Sequence, residues 1–237
     1  MQKVFKILFY ENGDPIAPRC IERFIGAFSK SYSEVVGTII EKSETPRLDF
    51  KVFEYNIAKL MPSFKMTRAG AFRGVRIDEK DRPCDPNKVI NNCWEKVEDE
   101  LRNLKKYLKQ KASGRRSRVL VDLSPKSRNH VIKKGAELFE KLLGVKVKTG
   151  RVSRVGASKV LFAVLPEIAL PVDNLEWKSV FKTTKYQDIL STMANEIREW
   201  EGKFPKIPLE KLDPNPKTTL PAIYNVMAMA ARPLKEA

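Results

Sequence analysis

The chain has 237 residues and carries 45 Lys or Arg against 29 Asp or Glu, which gives a formal net charge of +16. Its hydrophobic content of 42% is enough for a sizeable core, and its length suits one large domain or two small ones. The excess charge favours a polyanionic partner, and nucleic acid is the commonest polyanion inside a cell. A membrane surface is the rival partner, but proteins that bind one usually carry a basic amphipathic helix or a lipid anchor.

The sequence argues against export, a membrane span and a metal centre. No segment approaches the roughly 18 consecutive apolar residues that a membrane span requires. The apolar start of the chain is too short for a signal peptide, so we expect a cytoplasmic protein. Three scattered cysteines and a single histidine favour neither a zinc site nor a disulfide framework, and we expect no cofactor.

Hydrophobic periodicity predicts a mainly α fold with a few short strands. Apolar residues at helical spacing predict helices at 18–28, 33–41, 50–60, 85–112, 127–143, 157–164, 176–181, 186–200 and 220–231. Short strands are predicted at 4–10 and 119–123, and Gly and Pro mark 62–86 and 204–216 as mostly loop. We expect an N-terminal α+β region at 1–84 and a basic helical domain at 85–237.

The positive charge is concentrated in one part of the chain. Residues 101–160 hold 18 Lys or Arg but only three acids. A single run of like charges is often just a solvated helix face, but two clusters without compensating acids favour a surface that follows phosphates. The candidate phosphate-binding residues are Arg115, Arg116, Arg118, Lys126, Arg128, Lys146, Lys148, Arg151 and Arg154.

A run of small residues, 155–158, precedes Lys159 at the predicted start of a helix. Backbone N–H groups at such a turn can approach a phosphate, and the helix dipole favours the anion. Gly156 and Ser158 are therefore further candidate nucleic-acid contacts. Asp173 follows Lys159 by 14 residues, after Pro171 and Val172.

This stretch resembles the hairpin and catalytic region of the helix-hairpin-helix DNA glycosylases, especially the 8-oxoguanine branch. The family carries Gly-Val-Gly-x-Lys at its hairpin, then an apolar helix and Pro-Val-Asp. Here Val-Gly-Ala-Ser-Lys at 155–159 is similar to the hairpin, and Leu-Pro-Val-Asp at 170–173 is similar to the aspartate loop. Trp177 stands four residues after Asp173, as in the 8-oxoguanine branch. The resemblance covers about residues 127–200 and implies a helix-hairpin-helix segment at about 127–181.

The resemblance implies that Lys159 and Asp173 are catalytic. A lysine whose pKa is lowered by burial and neighbouring cations can attack the sugar C1′ of an extruded nucleotide and form a Schiff base. An aspartate beside it can manage protons or stabilise positive charge on the sugar. Two simpler interpretations stay open: Lys159 contacts a phosphate, and Asp173 is the N-cap of the next helix.

Aromatic and basic residues alternate in the predicted loop at 64–76. Phe64, Arg68, Phe72 and Arg73 are candidates for wedging into, or stacking on, opened bases. The alternative is a surface loop whose phenylalanines pack inward.

The sequence thus predicts a DNA-binding protein, most simply a repair glycosylase with or without lyase activity that acts on a base such as 8-oxoguanine in duplex DNA. The first alternative is a nucleic-acid-binding module without chemistry. The second is a restriction-type nuclease in which Asp173, Glu176 and Lys178 surround Mg²⁺, although the two acids are unusually close in sequence.

Overall fold

The computed structural model describes residues 6–28, 30–43, 48–112, 116–215 and 217–231. This part of the chain is mainly helical with two small antiparallel sheets, which confirms the predicted fold class. The helices are α1 (Pro18–Ala27), α2 (Lys30–Ser43), α3 (Phe50–Ser63), α4 (Val89–Lys111), α5 (Val119–Asp122), α6 (Pro125–Leu142), α7 (Arg154–Val164), α8 (Tyr186–Lys203) and α9 (Leu220–Ala230). Single 3₁₀ turns occupy Arg116–Arg118 and Leu209–Leu212, and a π-helical turn occupies Glu176–Val180.

The two sheets are short hairpins. Strand β1 (Arg76–Ile77) pairs with β2 (Pro83–Cys84), and β3 (Lys146–Val147) pairs with β4 (Gly150–Arg151). The second hairpin opposes Lys146 to Arg151 and fills the connection between α6 and α7.

Side-chain caps set the start of several helices. Asp49, Ser124, Ser153 and Thr219 each accept a backbone N–H from the first turn of the helix that follows. Helix α4 begins at Val89 rather than at the predicted Asp85, because the Asp85 carboxylate accepts the N–H groups of Val89 and Ile90 at 3.1 and 2.7 Å.

Helix α7 lies at the centre of the molecule. Every residue from Val155 to Val164 is buried, and the helix packs against α2, α3 and α6. A helix that is apolar on all sides is stable only when other elements surround it. Around it, α4 packs on α6, and α6 packs on α8.

The predicted boundary after residue 84 does not separate two hydrophobic cores. Helix α3, from the N-terminal region, packs against both α4 and α7. The buried apolar side chains form one cluster that runs from Ile7 to Ala228.

Two predicted strands are wrong. Within the described residues of 4–10, only Phe9 makes a bridge, to Pro15, and residues 1–5 lie outside the described part of the chain. Residues 119–122 form α5 because Val119, Leu120 and Val121 are all buried, and tertiary packing overrides their β-propensity.

No helix in the described ranges has both the length and the apolar character needed to cross a bilayer.

A buried carboxylate fastens the N-terminal segment to the helical body. Glu196 of α8 accepts the N–H of Leu8 and the hydroxyl of Tyr224, the latter at 2.6 Å. Trp200, one turn further along α8, donates its indole N–H to the carbonyl of Ile16 at 2.8 Å. Burial raises the pKa of Glu196 above its usual range, and the hydrogen bonds from Tyr224 and Leu8 oppose the rise.

Because this pKa is higher in the folded than in the unfolded chain, Glu196 favours folding most below its unfolded value of 4.5, and that contribution is lost as the pH rises through the folded pKa. We therefore expect Glu196→Gln, which cannot ionise, to gain stability relative to the wild type between pH 4 and 7, as measured by urea unfolding at several pH values. Glu199→Gln removes an exposed carboxylate from the same helix and should show no such gain. A constant difference between Glu196→Gln and the wild type across this range would contradict the assignment.

Candidate functional site

The structure brings the two predicted catalytic residues together. The ammonium of Lys159 contacts the carboxylate of Asp173, with 1% of the lysine side chain and 28% of the aspartate side chain exposed. The same ammonium lies 4.1 Å from the centre of the Phe64 ring, so a cation–π contact covers it from another side. The pair joins the second turn of α7 to the loop after residue 170. Asp173 is the member of the pair that is partly exposed to solvent.

Side chains, rather than a neighbouring strand, hold the backbone around Asp173. Ser158 accepts the N–H of Val172 at 3.0 Å, and its oxygen lies 3.0 and 3.3 Å from the carbonyls of Val155 and Val172. Tyr186 accepts the N–H of Leu170 at 2.9 Å and donates to the carbonyl of the same residue at 2.8 Å. These bonds fix residues 170–172 against α7 and α8.

Glu176 completes this set of contacts. Its buried carboxylate accepts the N–H of Asp173 at 2.6 Å. Asp173 in turn provides the carbonyl that accepts the N–H of Trp177. Asp173 therefore begins the helical turn through its backbone, while its side chain faces Lys159.

An aromatic cluster supports the Tyr186 hydroxyl. The Tyr186 ring stacks on the Phe139 ring of α6, with the ring centres 4.4 Å apart. The Trp177 ring centre lies 5.8 Å from that of Phe139. Burial raises the pKa of the Tyr186 phenol well above its usual range, so the hydroxyl stays protonated and able to donate. Trp177 is a buried core residue.

The predicted phosphate-binding turn at 155–158 is wrong. Ser153 accepts the N–H of Gly156 at 3.2 Å, so α7 begins at Arg154 and places Lys159 in its second turn. Gly156 and Ser158 are buried inside the helix and do not reach the surface where a nucleic acid would lie. The glycine serves packing: a Cβ on Gly156 would come within 2.8 Å of the Phe72 ring.

Exposed cations gather instead on the hairpin that precedes α7. Lys146, Lys148, Arg151 and Arg154 are all exposed. Lys146 and Arg151 lie directly opposite each other across the hairpin. Like charges in cross-strand positions repel, and a bound polyanion would remove the repulsion. Lys126, at the start of α6, is also exposed.

The loop at 64–75 packs against this hairpin. A Cβ on Gly150 would lie 3.6 Å from the backbone nitrogen of Ala71 and 3.7 Å from Gly70. Phe72 is buried and Phe64 is half-buried against Tyr32, with ring centres 5.6 Å apart, so both phenylalanines pack inward. Arg68 and Arg73 are exposed on the outside of the same loop.

Two predicted phosphate contacts have other roles. Arg118 binds Glu201 through two 2.8 Å contacts and Glu210 at 2.5 Å, which ties the 3₁₀ turn before α5 to α8 and to the last 3₁₀ turn. Arg128 is buried and donates to the carbonyl of Leu123 at 3.1 Å. Arg115 and the side chain of Arg116 lie outside the described residues.

Within the described ranges, no three His, Cys, Asp or Glu side chains are grouped closely enough to hold a metal ion. The carboxylates that the nuclease alternative requires, Asp173 and Glu176, contact the Lys159 ammonium and the Asp173 N–H respectively.

Comparison with protein families, with curated proteins and with solved structures finds no match for this chain.

Ser158 should be a structural rather than a DNA-binding residue. Ser158→Ala leaves the buried N–H of Val172 without its acceptor, so we expect a loss of about 1–3 kcal/mol in the free energy of unfolding. Urea unfolding measures this loss, with Ser191→Ala, a half-buried serine of α8, as the control. A large fall in the affinity for duplex DNA with unchanged stability would contradict this role.

Proposed function

We propose that the protein binds duplex DNA and excises a damaged base, such as 8-oxoguanine, with Lys159 and Asp173 as the catalytic pair. The observation that carries the proposal is the contact between the buried Lys159 ammonium and the Asp173 carboxylate. A lysine desolvated in an apolar pocket is one form of amine nucleophile, and Asp173 lies where its carboxylate can take the proton of the lysine. The resemblance of residues 127–200 to helix-hairpin-helix glycosylases supports the same assignment.

The reaction needs an extruded nucleotide and a neutral amine. Asp173 accepts the proton that Lys159 loses, and the amine then attacks the sugar C1′. The bond from C1′ to the base breaks and the base leaves with the electron pair. The nitrogen then loses a proton, and its lone pair forms the C1′=N bond of a protonated Schiff base as the bond from C1′ to the ring oxygen O4′ breaks. The electron pair of that bond goes to O4′, which takes up a proton, and the Schiff base permits a lyase step. Extrusion itself costs least at a damaged or mismatched base.

The exposed cations of the β3–β4 hairpin and the start of α7 support duplex binding. Lys146, Lys148, Arg151 and Arg154 lie on one short stretch of chain that leads directly into the helix carrying Lys159. Cations in such a row neutralise successive phosphates and release their counterions. We propose a cytoplasmic location for this activity, since nucleic acid is the commonest polyanion inside a cell.

A binding module without chemistry is the second candidate. The observation that favours it is the 1% exposure of the Lys159 side chain, because a sealed amine does not reach a sugar. In that case Lys159 and Asp173 form a structural ion pair, and only the exposed cations contact the nucleic acid.

Borohydride trapping separates these two functions. In EDTA, we expect a covalent adduct between the protein and one of a set of duplexes that carry 8-oxoguanine, uracil, thymine glycol or an abasic site. Lys159→Gln should give no adduct and Lys159→Arg should give none either, although arginine keeps the positive charge beside Asp173. Lys178→Gln removes an exposed lysine and is the matched control. Salt-sensitive binding to every duplex without adduct or base release would establish the binding module.

Asp173→Asn tests the second member of the pair. The amide cannot accept a proton from Lys159, so we expect base release in single-turnover experiments to slow by about 10²- to 10⁴-fold. Duplex affinity should change little, because the side chains proposed to bind phosphates are lysines and arginines, and the Asp173 carboxylate is not one of them. Unchanged base release in a folded Asp173→Asn protein would remove Asp173 from the mechanism.

A further inference from the structure

We propose that the Phe64 ring is a cover over Lys159 that duplex DNA opens by binding Arg68 and Arg73 on the same loop. This inference rests on the proposed duplex binding but not on any base excision. It assigns the loop at 64–75 a role as part of the DNA interface, in which Phe64 covers Lys159 and the arginines bind phosphates.

The inner side of the loop closes the site. Phe64 covers the Lys159 ammonium at 4.1 Å, and its ring also packs against Tyr32, at 5.6 Å between ring centres. Asp173 occupies a further side of the ammonium. Phe64 is half-buried, so in this proposal its ring is the part of the covering that moves when the lysine nitrogen is uncovered.

The backbone next to Phe64 is a regular helix C-terminus. Lys65 has a φ of 57°, the left-handed conformation that commonly ends a helix. Its N–H donates to the carbonyl of Pro62, and the N–H of Met66 donates to the carbonyl of Met61, which is the pair of hydrogen bonds of a Schellman motif. The end of α3 thus fixes the backbone that carries Phe64, so uncovering Lys159 requires a change in the Phe64 side chain.

The outer side of the loop belongs to the surface formed by the β3–β4 hairpin. Its backbone touches the hairpin at Gly150, and Arg68 and Arg73 lie within three residues of that contact. The other end of the loop is fixed, because the Phe72 ring packs directly on Gly156 of α7. Phosphates that bind the hairpin cations and the two arginines together would act on the segment that joins Phe64 to this fixed end.

If the cover must open before DNA binds, the apparent affinity is the affinity of the open form multiplied by the fraction of molecules that are open. Removing the ring should therefore expose Lys159 and tighten binding to an undamaged duplex. Removing a ring that only packs in the same aromatic cluster should have neither effect.

The test uses the full chain and an undamaged duplex. Phe64→Ala should raise the rate at which formaldehyde and borohydride methylate Lys159 in the free protein several-fold, as mapped by mass spectrometry. It should also bind the duplex several-fold more tightly. Phe28→Ala is the matched control, because Phe28 packs on Tyr32 at 5.1 Å from the opposite end of the cluster and should leave both quantities unchanged.

The arginines are tested by the salt dependence of binding. Arg68→Gln with Arg73→Gln should lower the slope of log affinity against log salt by about 2, one for each lost phosphate contact. Lys206→Gln with Lys211→Gln removes two exposed lysines near the last 3₁₀ turn and should leave the slope unchanged.

Three outcomes would overturn the proposal. Equal methylation of Lys159 in the wild type and Phe64→Ala shows that the ring is not a cover. Weaker duplex binding by Phe64→Ala shows that the ring contacts the DNA itself. An unchanged salt slope in the double arginine variant removes the loop from the interface. Each result is independent of base release, so a failure of the proposed glycosylase activity is seen separately, in the trapping experiment.

Discussion

The burial of a charged lysine in the central helix is the constraint on which the site depends. Helix α7 is surrounded by apolar side chains, and an unpaired ammonium among them would cost several kcal/mol. Asp173 supplies the opposite charge and Phe64 supplies the negative face of its ring. To bring Asp173 to Lys159, the chain must reverse direction after α7 ends. The 14-residue interval leaves room for little more than the rest of α7 and a short loop.

The loop at 170–173 is stabilised by polar side chains, and hydrogen bonds to the loop backbone offset the cost of burying them. Ser158, Tyr186 and Glu176 each bind backbone groups of residues 170–173, so a segment without a strand partner still has its buried N–H groups satisfied. The position of Asp173 is consequently set by its backbone before its carboxylate meets Lys159. The same contacts would serve a structural ion pair and a catalytic one, which differ in whether the Lys159 ammonium gives up a proton to Asp173.

The sequence predicted the helices well and the details of the site less well. Most helices followed from apolar periodicity, because their buried faces are long and regular, as in α4 and α6. Residues 155–158 were predicted as a turn because their side chains are mostly small. In the structure Ser153 caps α7 two residues before this segment, and Gly156 lacks a Cβ where the Phe72 ring packs against the helix. The roles of Ser158 and Tyr186 depend on hydrogen bonds across 14 and 16 residues, which no local pattern reveals. The pairing of Lys159 with Asp173 was predicted through family resemblance rather than through spacing.

Charge counting overestimated the number of residues available to a polyanion. Arg118 and Arg128 belong to the densest basic segment, yet one is held by Glu201 and Glu210 and the other by a backbone carbonyl. Glu201 and Glu210 lie 83 and 92 residues from Arg118 in sequence, so a local count of acids could not find these two partners. Among the candidate cations, those exposed near Lys159 are on the hairpin before α7 and on the loop beside it, and Lys126 is exposed at the start of α6. The hairpin and the loop are about 80 residues apart in sequence, and the fold joins them near the buried Lys159, which is why access to Lys159 and binding of phosphates are expected to be coupled.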